Sequence, residues 1–214
     1  MEEFKTIQKH ISGEIIEKKS KFIADVYCVD DVKQVEQNIK EIKKKYYDAK
    51  HHCYAYKINT ESQVIEKCSD DGEPSGTAGA PILNIINKNN LSNILIVVTR
   101  YFGGILLGTG GLVKAYTEAT QEALKIADYI QKVQGYEFEI KLDYPELEIF
   151  KYYCKNNEIN IKNINYIENV ELIIEMEENR KKVFLEDIES KKLKIKEIQE
   201  IRTKLIDKCV EKNK

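Results

Sequence analysis

The residue types that do chemistry gather in one stretch of this chain, residues 48–116. It holds DAKHHCYAY, SDDGEPSGTAGAPIL and VVTRYFGGILLGTGGLVKAY. Polar, glycine-rich segments at the ends of apolar runs are where α/β and α+β proteins usually carry binding groups. Asp70, Asp71 and Glu73 fall within four residues. Close carboxylates can hold a hard cation through oxygen, or raise one another's pKa for acid–base work. The spacing lacks the further oxygen ligands and distal Glu of an EF-hand. Asp-Asp-Gly is equally an ordinary turn, and Ser75 or Thr77 can cap a following helix. His51, His52 and Cys53 have the chemistry of metal ligands, but strand neighbours point to opposite faces. His51 and Cys53 would share one face. His52 would align with Tyr54 and Tyr56, a row fit either to stack on bases or to lie half-buried. No third ligand at a fixed spacing completes a metal set.

FGGILLGTGG follows an apolar run and opens a helix, so Thr109, Gly110 and Gly111 are expected to offer free N–H groups at the helix start. Such groups attract anions, and the helix dipole helps. Lys114 lies one turn on. Gly103 to Gly108 has the gap of a P-loop, but Thr109 stands where Lys is needed. After Gly108 and Gly110 the third position of a dinucleotide fingerprint holds Val113. The alternative is a tightly packed loop that needs positive φ at several positions. Arg100, beside Tyr101 and Phe102, can grip phosphate and stack on a base. It can instead pair with Asp70, Asp71 or Glu73. The basic runs Lys18-Lys19-Lys21 and Lys43-Lys44-Lys45 read as solvated faces. No nucleophile has a recognisable base and orienting partner.

The elements that must position these residues follow from periodicity. Glu14–Lys18 and Lys21–Val29 read as strands, with Phe22, Ala24, Val26 and Cys28 on one face. Asp30 or Asp31 can cap a helix carrying Val32, Val35, Ile39 and Ile42, which should end near Tyr46. His52–Ile58 alternates as a strand, and a long polar loop follows. Ala78–Asn87 is a short helix with Pro81 in its first turn. Asn93–Thr99 suits a central strand, and Leu112–Ala127 a helix. Beyond it, strands over Tyr136–Leu142, Ile159–Ile167, Val170–Met176 and Leu193–Ile201 alternate with two helices. One is Pro145–Lys155, with Leu147, Phe150 and Cys154 in a stripe. The other is Arg180–Ser190, with Val183, Phe184 and Ile188 inward. This βαββαβ order matches a ferredoxin-like sandwich.

Eight of the ten glycines lie between Gly72 and Gly111, and the last is Gly135. That change of texture sets a boundary near 130–136, giving domains over 1–132 and 136–209. The 214 residues fit one large domain or two small ones. Lys+Arg 34 against Asp+Glu 36 gives a net charge of -2, which excludes blanket phosphate neutralisation and leaves only a local patch for any nucleic acid. Neither half is basic: residues 1–135 carry 18 basic and 18 acidic side chains, and 136–214 carry 16 and 18. No apolar run reaches the ~18 residues of a membrane span, and the polar start has no signal core. The five cysteines have no CxxC spacing and read as reduced, packed thiols. A cytoplasmic protein is expected.

KKSKFIA (18–24), DAKHHCYAY (48–56), SDDGEPSGTAGAPIL (69–83) and VVTRYFGGILLGTGGLVKAY (97–116) closely resemble the IMPACT family in its bacterial YigZ-like form. The likeness covers about residues 1–125, and the tail is similar to the C-terminal domain of those members. None of these segments departs from the pattern. The resemblance implies a first domain like the second domain of a small-subunit ribosomal protein, a fold shared with elongation factor G and GHMP kinases. It implies a second domain like the ferredoxin-like domains near the end of elongation factor G. Eukaryotic relatives regulate translation by competing for the activator of an initiation-factor kinase, a pathway bacteria lack. The expectation is an α+β, two-domain regulator that binds RNA or a ribosome-related partner, with binding favoured over catalysis. No cofactor, metal or membrane is implied. Its surface would be formed by His51, His52, Asp70, Asp71, Glu73, Gly76, Thr77, Arg100, Tyr101, Phe102, Gly103, Gly104, Gly108, Thr109, Gly110, Gly111 and Lys114. Arg100 and Lys114 would meet phosphate; His52, Tyr54 and Tyr101 would stack. The alternatives are a metal-assisted phosphate-handling or hydrolytic enzyme using Asp70, Asp71 and Glu73, and a pure protein-interaction module.

Overall fold

The computed structural model describes residues 3–60 and 62–209. Residues 4–131 form one compact unit and residues 132–208 another. Both mix α and β.

In the first unit, strands β1 (Phe4–Ile7), β2 (Ile11–Glu17) and β3 (Ser20–Cys28) precede helix α1 (Val32–Lys45). Then come β4 (His51–Asn59), β5 (Val64–Ser69), α2 (Gly79–Lys88), β6 (Ile94–Tyr101) and α3 (Gly108–Lys125). The sheet runs β2-β3-β6-β4-β5, and every pairing in it is antiparallel. β6 is central and buried along nearly its whole length. Alternation sends its side chains to two cores. Ile94, Ile96 and Val98 meet α2 and α3, together with Phe22, Ala24 and Val26 of β3. Leu95 and Val97 meet Val35 and Ile42 of α1. α1 starts at Asp31, whose carboxylate accepts from Gln34 N at 2.8 Å, and ends at Tyr46 as the spacing predicts.

Three features depart from the periodicity. β1 and β5 are additional strands. β5 is a sheet edge with mostly exposed side chains, so it has no apolar alternation to read. α3 begins at Gly108, four residues before the apolar pattern does.

In the second unit, the latter part of β7 (Tyr129–Leu142) is followed by a 3₁₀ turn (Tyr144–Glu146), α4 (Leu147–Asn156), β8 (Asn160–Tyr166), β9 (Val170–Glu177), α5 (Glu178–Glu189) and β10 (Glu197–Cys209). The strands lie in the order β10-β7-β9-β8. Phe138, Ile140 and Leu142 of β7 and Leu172, Ile174 and Met176 of β9 pack with Phe150, Cys154 and Phe184 of the helices. Val183 is half exposed, not inward; Phe184 alone of that pair enters the core. On the other face of the sheet Glu137 and Glu175 are buried under cations: Lys204 bonds Glu137 at 2.5 Å and also reaches Glu175, while Lys162 lies 3.5 Å from Glu175.

Candidate functional site

The SDDGEPSGTAG segment is a knot tied to the sheet by its own carboxylates. Asp70 Oδ1 accepts from the N–H groups of Ala78 and Gly79 at 3.0 and 2.9 Å, and Oδ2 from Gly76 N at 2.8 Å. Asp70 thereby caps the start of α2 from outside the helix, where Ala78 offers no side-chain cap. Thr77 does not cap; its hydroxyl donates to Pro74 O at 2.6 Å. Burial, the largest influence on Asp70, raises its pKa, but the three N–H donors together outweigh it and hold the carboxyl below the usual range. Asp71 sits at φ 40 before Gly72 at φ 89, a left-handed turn. Its Oδ2 accepts from His52 N at 2.7 Å, and Lys43 donates to Oδ1 at 3.0 Å. Against the opposing effect of burial these bonds likewise lower its pKa.

Glu73 goes inside. It accepts from Arg100 Nη1 at 2.6 Å and from the Tyr116 hydroxyl at 2.9 Å, and both Glu73 and Arg100 are buried. The Cys53 thiol donates to Asp70 O at 2.9 Å and lies 3.3 Å from the Tyr116 hydroxyl. Burial pushes this thiol up to about 12, so it stays a neutral packing group.

These contacts revise several expectations. Arg100 does not face phosphate: it is buried in the ion pair that was its alternative, flanked by the rings of Phe22 and Phe102 at 5.5 and 5.6 Å. All three carboxylates of the acidic loop are consumed internally. Among the described residues no three His, Cys, Asp or Glu side chains stand close enough to hold a metal ion. His51 Nδ1 lies 2.9 Å from Asp71 O, and Cys53 bonds the same loop, so this pair anchors a turn. The stacking row is not on the surface. His52 is buried, with Nε2 3.1 Å from Tyr46 O, and Tyr54 and Tyr56 stack beneath α1. The Tyr101 hydroxyl donates to Asp48 at 2.8 Å.

What remains open is the second glycine-rich loop. α3 has no side-chain cap at its start, where Leu107 is the N-cap. Its first N–H groups, from Gly108, Thr109 and Gly110, belong to exposed residues. A Cβ at Gly104, Gly108 or Gly110 would meet nothing within 4 Å. Phe102, Ile105 and Leu106 are exposed, Leu106 at 83%. Lys114 is exposed and lies 3.7 Å from Glu118. The β2–β3 turn, Lys18-Lys19, adjoins this loop. Gly103 donates to Ser20 Oγ at 3.1 Å, and Lys18 and Lys19 hold φ of 44 and 66. Sequence reasoning set this lysine pair aside as a solvated face and missed Tyr116. The signal for the first is the type I′ hairpin geometry that two residues between strands demand. Tyr116 is one of several apolar residues on its helix and carries no such signal.

The class these features define is an α+β chain of two units whose first is knotted by one acidic loop and open at one glycine-rich loop. Its residues 18–124 match the Impact N-terminal domain, and residues 140–190 a domain of unknown function, DUF1949. The chain belongs to the IMPACT family. It is 37% identical over 181 residues to the IMPACT family member YvyE of Bacillus subtilis, spanning 85% of this chain and 83% of the relative. It is 39% identical over 132 residues to YigZ of Escherichia coli, spanning 61% and 64%. Among solved structures it is similar to the crystal structure of a hypothetical protein, with a TM-score of 0.61 and 31% identity over 91% of this chain and 97% of that one.

Proposed function

We propose that this chain is a non-enzymatic, cytoplasmic binding protein of translation that engages RNA or a ribosome-related partner. The surface runs through the Lys18-Lys19 turn, Phe102–Gly111 and Lys114. One observation carries the reading: the uncapped start of α3, with Gly108 and Gly110 opening on empty space. Unpaired N–H groups at a helix N-terminus favour an anion such as a backbone phosphate. Membership of the IMPACT family supports the translational setting. The antiparallel sheet with helices on both faces is in keeping with a ribosomal-protein-like first domain. The order β10-β7-β9-β8 is that of a ferredoxin-like second domain. The exposed Phe102, Ile105 and Leu106 favour a second reading, a protein-interaction module at the same loop. Nothing favours the enzymatic alternative, because its carboxylates are spent on the fold.

Titration of a single-stranded oligoribonucleotide at several salt concentrations tests the proposal. A patch of two to four phosphate contacts predicts a log–log salt slope of about -1.4 to -2.8. Gly110→Ala adds a methyl group where only a ligand would meet it and replaces a helical glycine. Affinity should fall on the order of tenfold while the melting temperature holds or rises by the equivalent of up to ~1 kcal/mol. Unchanged affinity in this folded variant would end the anion-site reading. Salt-indifferent capture of a protein would select the second.

A further inference from the structure

A second cleft opens in the first unit at the far end of β3. Ser20, at one end of that strand, touches Gly103, whereas Tyr27 lies seven residues on, ~23 Å along an extended strand. The cleft is therefore independent of the glycine-rich loop. It has a volume of about 420 Å³, between the polar side of α1 and the segment entering β2. That lies within the ~300–1,000 Å³ typical of small-molecule sites.

Its floor is a pre-formed stack. The His10 ring lies on Tyr27 with centroids 4.3 Å apart and planes 19° from parallel. His10 Nε2 is 3.0 Å from Oδ1 of Asp25, a carboxylate with no exposure at all. A carboxylate oxygen only accepts, so Nε2 carries the proton and Nδ1 is left as an acceptor when the ring is neutral. Asp25 is thus a positioning residue for the ring. Its charge is already matched by Lys45, whose Nζ lies 3.5 Å from the same oxygen. The His10 side chain is nevertheless 43% exposed. Tyr27 covers one ring face, so the opposite face and the edge are what solvent reaches. The cleft is also lined by Lys9 and by the amides of Gln8, Gln34, Gln37 and Asn38; Gln37 already donates to Glu41 at 3.1 Å and Gln34 accepts from Asp30 N at 3.0 Å. An amide offers a donor and an acceptor in one plane, the pattern that pairs bidentately with an adenine edge. An aromatic face bordered by amides suits a flat ring that has both donors and acceptors. Asp25 is fully buried, its Oδ1 shared by His10 and Lys45 and its Oδ2 without a hydrogen-bond partner.

We propose that this cleft binds a purine nucleobase, stacked on the outer face of His10 with its edge read by the Gln and Asn amides. The test uses the intact chain and adenosine, which has no phosphate to engage the helix start. Saturable shifts of the His10 ring signals, with a Kd of about 1 mM or tighter, are expected in NMR titration. His10→Ala, at an exposed position, should weaken binding roughly five- to hundredfold. His10→Phe, which keeps a stacking face, should stay within about threefold of the wild type. Gly110→Ala should leave adenosine affinity unchanged. Absence of saturable binding, or wild-type affinity in His10→Ala, would overturn the proposal. So would a loss in Gly110→Ala alone, which would put the ligand at the glycine-rich loop. Oligonucleotide binding that fails in Gly110→Ala while adenosine still saturates His10 would separate the two sites. Conversely, unaltered oligonucleotide affinity in Gly110→Ala would sink the phosphate reading and leave the base cleft standing.

Discussion

Glu73 and Arg100 illustrate how the same residues can be read as a ligand site or as scaffold. An exposed pair of this kind contributes ~1 kcal/mol or less, but removing one partner of a buried pair strands the other charge and costs about 3–5 kcal/mol. Arg100→Ala should therefore destabilise the first unit by that amount in chemical denaturation. The double variant Glu73→Gln, Arg100→Met should cost clearly less than Arg100→Ala alone, because it leaves no buried charge. An additive double variant would mean the pair is not coupled. Asp70 and Asp71 add a pH dependence whose sign follows from their lowered pKa values. A carboxylate bound more tightly when ionised stabilises the fold fully above its unfolded pKa of about 3.9, and that stability is lost as pH falls through the lower folded value. Melting temperature should thus decline as pH drops below about 4, and less steeply in Asp70→Asn. A wild-type profile flat down to pH 2 would contradict the capping role.

At the scale of elements, two glycine-containing loops do opposite things. SDDGEPSGTAG folds inward because every carboxylate finds N–H, guanidinium or ammonium donors on β4, β6, α1 or α2. FGGILLGTGG leaves the start of α3 without a side-chain cap, because Leu107 stands at the N-cap. Its glycines are not equivalent. An ideal Cβ at Gly103 would sit 2.0 Å from the carbonyl carbon of Lys19, backbone that cannot swing away. Gly103→Ala should force the β2–β3 turn apart and destabilise by ~1–3 kcal/mol, read as a lower midpoint in urea. Gly110→Ala should not. Equal stability of the two would mean that the turn and loop are not in contact. The acidic and glycine-rich segments were recognisable as special from sequence, yet which was scaffold and which surface was not. Both are rich in glycine, and it is the partners each finds in the fold that separate them.

On the scale of the molecule, the first unit has two cores either side of one sheet, and the second has a single core under two helices. We expect each to fold alone when all of β7 accompanies it, as residues 1–142 and 129–209. Dispersed heteronuclear NMR spectra would show this, and two collapsed spectra would refute it. Proteolytic cleavage within 129–136 is not expected in the intact chain, because those residues are continuous strand. The near-neutral balance of the whole is also local. On the other face of the second sheet Lys204 and Arg202 meet Glu137, and Lys162 meets Glu175, so the buried carboxylates there are paired with cations.

Sequence alone determined the order of most elements, the faces of β3 and α1, the capping Asp31 and the membership of the IMPACT family. These rest on local periodicity, on capping chemistry and on long, specific segments. Only the tertiary structure decided that Arg100 is buried, that His52 and Tyr54 lie under α1, that Asp70 caps a helix it does not belong to, and that Lys18-Lys19 borders the glycine-rich loop. The Arg100 and Lys18-Lys19 facts are contacts between residues far apart in the chain, and the Asp70 cap depends on how its own loop folds back on α2. Whether a charged or aromatic side chain faces water or a partner depends on what the neighbouring strand brings to it, which no local pattern encodes.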